Sequence, residues 1–112
     1  MRGSKPMTAS ALALAIAWIS LAASQALGAT LTVKAGESIQ AAVKRALPGD
    51  RIEVEPGLYK ETVFIDKDGI ELSGIVRGGQ WPVLDGENKL NDGVLVSGHG
   101  VTIERLWVKR YK

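Results

Sequence analysis

From residue 30 onward the chain is a series of short apolar-x-apolar words separated by turn residues. Leu31-Thr32-Val33 is the first, and strands are predicted over 31–33, 51–54, 62–65, 70–72, 83–84, 94–96, 101–103 and 106–108. Alternation with period two marks strands that bury one face. One segment departs from that period. Ile39, Ala42, Val43 and Ala46 fall at i, i+3, i+4 and i+7, which predicts a helix over 39–47 with a single apolar stripe. Ser38 stands at its N-cap, Lys44 and Arg45 suit its C-terminal dipole, and Pro48-Gly49 ends it. The class is all-β with one helix.

The words recur. A shift of 31 places lays Ile52-Glu53-Val54 over Val83-Leu84-Asp85, Val63-Phe64-Ile65 over Val94-Leu95-Val96, and Gly69-Ile70-Glu71-Leu72 over Gly100-Val101-Thr102-Ile103. A period of this size is the signature of solenoids and related arrays. Strands of three residues bury too little to close a sandwich, although seven of them with turns also fit that architecture. Coiling the chain so that equivalent words stack in register buries Ile52, Val54, Val63, Ile65, Ile70, Leu72, Val83, Val94, Val96, Val101 and Ile103 in one column. Gly69 and Gly100 then sit at equivalent corners, where a left-handed backbone costs glycine little.

The run Gly49-Asp50-Arg51-Ile52-Glu53-Val54-Glu55-Pro56-Gly57-Leu58-Tyr59-Lys60-Glu61 resembles the N-terminal signature of the pectate-lyase-like superfamily of right-handed parallel β-helix proteins. Asp68-Gly69-Ile70-Glu71-Leu72-Ser73-Gly74, Val83-Leu84-Asp85-Gly86 and Gly100-Val101-Thr102-Ile103-Glu104-Arg105-Leu106 follow in the order of successive coils. The resemblance covers residues 30–112. It implies a right-handed parallel β-helix, with 29–50 as an N-terminal strand and a helix capping the open end, and 51–112 as the first two to three coils. Fewer than three full repeats, with no C-terminal cap in sight, lead us to expect the beginning of a longer solenoid.

What precedes the coils has another character. Arg2 and Lys5 form a positive start, residues 9–23 are apolar and alanine-rich, and Ser24-Gln25-Ala26 and Ala26-Leu27-Gly28 both offer small-x-small cleavage sites. Residues 1–28 therefore read as a signal peptide cleaved after Ala26 or Gly28. An uncleaved anchor is the rival, but the stretch is short for a span and no stop-transfer charges follow. The expected location is secreted or periplasmic, with no stable membrane span after cleavage. Of the 112 residues, 14 are basic and 12 acidic; without Arg2 and Lys5 the two signs balance. A neutral chain offers no basic field for nucleic acid. The absence of cysteine excludes disulfides, thiolate zinc sites and a cysteine nucleophile.

Candidate chemistry is thin. Superfamily hydrolases carry a Gly-His-Gly, and Gly98-His99-Gly100 matches it, but the paired aspartates that precede it there are missing. His99 reads instead as the turn equivalent to Asp68 one repeat earlier. Glycoside hydrolysis needs two carboxyls roughly 5–9.5 Å apart. Glu53, Glu55 and Glu71 are expected outward on strands; Asp66 and Asp68 lie at a turn before Gly69, and Asp85, Glu87 and Asp92 in or near a longer loop. Asp66 and Asp68 could begin a calcium site, though turn stabilisation is the commoner role. Tyr59, Trp81 and Trp107 are candidate sugar platforms, with core or loop packing as the alternative. Residues 108–112 make a basic end suited to an edge strand. No catalytic residue, metal ligand or cofactor is assigned; calcium is reserved for a longer parent chain. The resemblance implies polysaccharide binding or modification by a lyase, hydrolase or epimerase of acidic or neutral chains. The alternative is a non-enzymatic binder, adhesin-like or similar to the periplasmic β-helix factor of nitrous-oxide reductase maturation.

Overall fold

A computed structural model describes residues 28–112; the expected signal peptide lies outside the described residues. Ten elements follow in order: β1 (Thr30–Val33), α1 (Ile39–Arg45), β2 (Arg51–Val54), β3 (Gly57–Tyr59), β4 (Val63–Ile65), β5 (Glu71–Gly74), β6 (Pro82–Asp85), β7 (Val94–Val96), β8 (Thr102–Glu104) and β9 (Trp107–Lys109). They wind into a parallel β-solenoid of about three turns with three sheets: β1-β2-β5-β8, β3-β6-β9 and β4-β7. Every strand pairing is parallel, so the sandwich alternative is excluded. One complete coil is β2-β3-β4, and the next is β5-β6-β7.

Alternation along each strand decides what faces the column. Ile52, Val54, Val63, Ile65, Ile70, Leu72 and Leu84 have no exposed surface, while Arg51, Glu53, Leu58 and Phe64 point out. The apolar stripe of α1 is buried too, at Ile39, Ala42 and Val43, against β4, β1 and β2. Ser38 Oγ accepts from the amide of Ala41 at 3.1 Å, as an N-cap should. The helix ends two residues before the expected boundary. Ala46 is extended (φ −68°, ψ 150°): its amide still donates to Ala42 and Val43 carbonyls, but the next amide, of the exposed Leu47, is held by Asp50 at 2.9 Å.

Glycine marks the corner that leads into the first sheet on each rung. Gly28, Gly49, Gly69 and Gly100 all have positive φ, from 66° to 89°. They are stacked: the Gly49 amide donates to Asp68 O and the Gly69 amide to His99 O. Gly69 and Gly100 thus occupy the equivalent corners expected of them.

The 31-residue offset holds for the pairings of β4 with β7 and of β5 with β8 and fails for the others. Val63 pairs with Val94 and Leu72 with Ile103, each 31 apart. Ile52, however, stacks on Leu72, 20 residues on, and not on Val83. Val83 lies between Leu58 and Trp107 on the second sheet, 25 and 24 residues from them. It points outward and its neighbour Leu84 fills the column, the reverse of the expected assignment. The cause is unequal coil length. Between the first and second sheets β2 and β3 are joined by two residues, whereas residues 75–81 separate β5 from β6. Residues 60–62 lead from β3 to β4, whereas 86–93 lead from β6 to β7. Strand β3 was not expected at all, since Pro56-Gly57 reads as a turn and only Tyr59 supplies an inward apolar group. Val96 and Ile103 take the inward register positions expected of them but are 45% and 40% exposed, because no described rung lies beneath theirs.

Candidate functional site

The three sheets present three kinds of surface. Outward on the first are charges: Arg51 Nε meets Glu53 at 3.2 Å, its Nη1 meets Glu71 at 3.3 Å, and Ser73 Oγ lies 3.2 Å from both Glu104 and Arg105. Outward on the third sheet are Phe64 and Leu95, paired in register. The second sheet carries the tryptophan groove.

There, Leu58, Val83 and Trp107 stand one above another on successive rungs. Beside them the insertion before β6 folds into a two-residue turn. Arg77 and Gln80 exchange both main-chain hydrogen bonds, at 3.1 and 2.9 Å, and Gly78 and Gly79 take φ of +56° and +78°. Positive φ at both central residues is the primed turn whose twist suits a hairpin, and two glycines adopt it without strain. The turn delivers Trp81 to the rim of the ladder just before Pro82 enters β6. Trp81 is 43% and Trp107 55% exposed. Between them lies an open groove of about 410 Å³ lined by Pro56, Leu58, Gln80, Trp81, Val83 and Trp107. It continues past Trp81 into a second depression of about 460 Å³ bounded by Gly79, Leu106 and Trp107. These volumes are in the range of small-ligand sites. Lys109, two residues after Trp107 and so on the same face, holds its ammonium 5.2 Å from the indole centroid.

The third expected platform does not join them. Tyr59 is 2% exposed, faces the column and donates its hydroxyl to Glu55 O at 2.7 Å; burial pushes its pKa up to about 12. It is a core residue because β3 puts Leu58, not Tyr59, on the outer face.

The four candidate glutamates are each paired with a cation. Glu53 and Glu71 share Arg51, Glu55 meets Arg77 at 3.6 Å, and Glu87 meets Lys60 at 3.3 Å. Asp68 accepts the His99 amide at 2.8 Å, so Gly98-His99-Gly100 is a turn stacked on the one before it and His99 is exposed. Asp92 contributes its backbone carbonyl to Thr62 Oγ1. Among the described residues no three of His, Asp and Glu converge as metal ligands.

Asp85 is the one deeply buried carboxylate of the second coil, at 2% exposure. It accepts two hydrogen bonds from the Arg110 guanidinium and one from the Glu87 amide, which together hold its pKa down to about 2. Arg110 pays for that reach with a left-handed backbone, φ 57°. The pair ties the loop 86–93 to the segment after β9, where Asn88 and Lys112 amides complete the seam.

Two side chains that sequence reasoning passed over secure the first coil. Glu61 accepts the Ile39 and Gln40 amides and the Ser38 hydroxyl at the start of α1. Lys67 donates to Val43, Lys44 and Ala46 carbonyls at its end. Lys67 and Glu61 bracket β4, so one strand holds both ends of the helix. Gln40 completes the seam: its side-chain amide donates to Phe64 O and its carbonyl accepts the Phe64 amide.

Comparison with protein-family models, with curated proteins and with solved structures returns no match to this chain in any of the three. What stands on the structure itself is, among the described residues, a parallel β-solenoid of about three turns with one short helix and an exposed two-tryptophan groove on its second sheet.

Proposed function

We propose that the chain is an exported right-handed parallel β-helix of the pectate-lyase-like kind that binds polysaccharide along its second sheet, with α1 capping the first rung. The observation that carries this reading is the pair of exposed tryptophans across an open groove built by a dedicated insertion. Indole faces are hydrophobic yet polar-edged, and they match the C–H faces of sugar rings. A surface of this kind with no structural partner marks a binding site. The burial of α1 against β1, β2 and β4 suits a capping role, since it covers the inward residues of the first rung.

Binding is favoured over bond cleavage. General acid–base work on a glycoside needs a pair of available carboxyls, and Glu53, Glu55, Glu71, Glu87 and Asp68 are each taken by an arginine, a lysine or a backbone amide. This places the non-enzymatic alternative ahead of a lyase, hydrolase or epimerase. The test is native gel electrophoresis of the exported chain in gels cast with soluble polysaccharides. Retardation by at least one of them, weakened in Trp81→Ala, is expected, with no new reducing ends or unsaturated uronates in the polymer. Free migration in every gel would remove the binding reading, and chain scission would restore the enzymatic one. N-terminal sequencing of the periplasmic product, expected to start after residue 26 or 28, checks export.

A further inference from the structure

Resting on that reading, we infer that the groove takes a neutral, extended, equatorially linked glycan running along the solenoid axis, and not an acidic chain. The lining carries the argument. Pro56, Leu58, Val83, Leu106 and the two tryptophans are apolar, and Gln80 is the only polar side chain among the residues that line the groove. A uronate carboxylate placed there would lose water and meet no cation among the lining residues, which is costly. The cations nearby are already engaged. Arg77 meets Glu55 at 3.6 Å, and Lys109 lies against the Trp107 ring.

Direction follows from the register. Leu58, Val83 and Trp107 are successive outward positions, one per rung, so the apolar track runs across the strands. Its step is the strand spacing of about 4.8 Å. That step is close to the advance per residue of a flat, equatorially linked sugar chain, which presents one ring face per step. A coiled, axially linked chain curves away after one ring. Gln80, whose main chain is held by the turn, is placed to hydrogen-bond a ring hydroxyl, and Trp81 closes the track from the side.

The experiment compares mobility of the full exported chain in native gels containing hydroxyethyl cellulose (neutral, equatorially linked), polygalacturonate (acidic) or soluble starch (neutral, coiled). Retardation is expected in hydroxyethyl cellulose and unchanged by added salt, since no ion pair forms. Trp81→Ala should weaken it about tenfold, the equivalent of about 1.4 kcal/mol. Gln80→Ala, which leaves the aromatic track in place, should weaken it a few-fold and guards against a fold defect in the tryptophan variant. Retardation by polygalacturonate alone, or retardation abolished by salt, overturns the neutral assignment while leaving polysaccharide binding intact. Starch retarding as strongly as hydroxyethyl cellulose overturns the axial, extended geometry. Retardation in none of the three overturns the groove as a polysaccharide site along with this inference.

Discussion

The first complete coil and the second are built from the same three strands in the same order, yet they differ in what joins them. In the first, two residues connect β2 to β3 and three connect β3 to β4, and the chain has no length to spare for surface features. Its side chains are spent on fastening: Glu61 and Lys67 hold the two ends of α1, and the inward residues Ile52, Val54, Val63 and Ile65 are wholly buried. In the second, the return from third sheet to first keeps the same length, while both other corners lengthen. One insertion becomes the glycine hairpin and its tryptophan; the other is the loop tied down by Asp85 and Arg110. A solenoid sums nearly independent rungs, so extra length at a corner alters the surface without disturbing the stack. Stacking is thus the constant, and the corners carry what is particular to this chain.

The largest effect should come from breaking the stack where two coils touch most closely. Gly74 closes β5, and a methyl group there would overlap the Arg105 carbonyl and the Pro82 ring. Neither neighbour is a flexible side-chain end. Gly74→Ala should cost about 3 kcal/mol or more in urea unfolding, at the upper end for overpacking. Gly78→Ala is the matched comparison. Its φ is also unfavourable to a side chain, at +56°, but nothing lies within 4 Å of the added group. It should cost only about 1–2 kcal/mol. Equal costs at the two sites would mean the third rung does not press on the second as described.

Next comes the fastening of the first coil. Lys67→Met keeps the aliphatic stem and removes three charge-assisted hydrogen bonds to helix carbonyls. A loss of about 2 kcal/mol is expected, because the ammonium contacts are worth more than neutral ones and two of the three, to Val43 and Ala46, are partly buried. Glu61→Gln should cost about 1 kcal/mol by weakening the same kind of bond at the other end. Amide exchange would localise both losses to α1 and β4, and protection unchanged there would detach the helix from that strand.

These two residues show why part of the molecule could be read from sequence and part could not. The apolar triplets, the stripe of α1 and the corner glycines announce a stacked all-β chain, because each obeys a local period. Sheet membership does not follow a local rule. Ile52-Glu53-Val54 and Val83-Leu84-Asp85 look alike at an offset of 31, but insertions before and after β6 make that offset the length of one coil only. Trp81 and Trp107 were visible as candidates; their meeting on one face depends on β3, which has too few apolar residues to be seen. Glu61 and Lys67 act on groups more than 20 residues away, and nothing near them in the chain signals it.

The second coil's own fastening responds to acid. Arg110 and the Glu87 amide hold Asp85 well below its ordinary value near 3.8, down to about 2. A carboxyl whose pKa is depressed on folding stabilises the fold fully above its unfolded pKa, and loses that contribution as pH falls through the folded one. Stability should therefore fall between about pH 4 and pH 2 through this site. Asp85→Asn should be less stable than the parent at neutral pH and should lose most of the difference by pH 2, as followed by acid unfolding. A variant curve parallel to the parent's across that interval would separate Asp85 from Arg110.

The smallest effect on stability is expected from removing the hairpin altogether. Replacing residues 75–81 with the Glu-Pro pair that joins β2 to β3 gives the second coil the corner of the first. Loop-closure entropy changes slowly with length, so shortening the connection contributes only about 1 kcal/mol, in the stabilising direction. Against it stands the loss of the Arg77–Glu55 pair, an exposed contact at 3.6 Å worth roughly 0.2–1 kcal/mol. The two nearly cancel, and the unfolding midpoint should move little. Retardation in polysaccharide gels should disappear with Gln80 and Trp81. If shortening the corner instead unfolds the chain, the hairpin belongs to the stack and the division between constant rungs and variable corners fails. If binding survives, the ligand track lies on Leu58, Val83 and Trp107 alone, and the insertion serves something other than the groove.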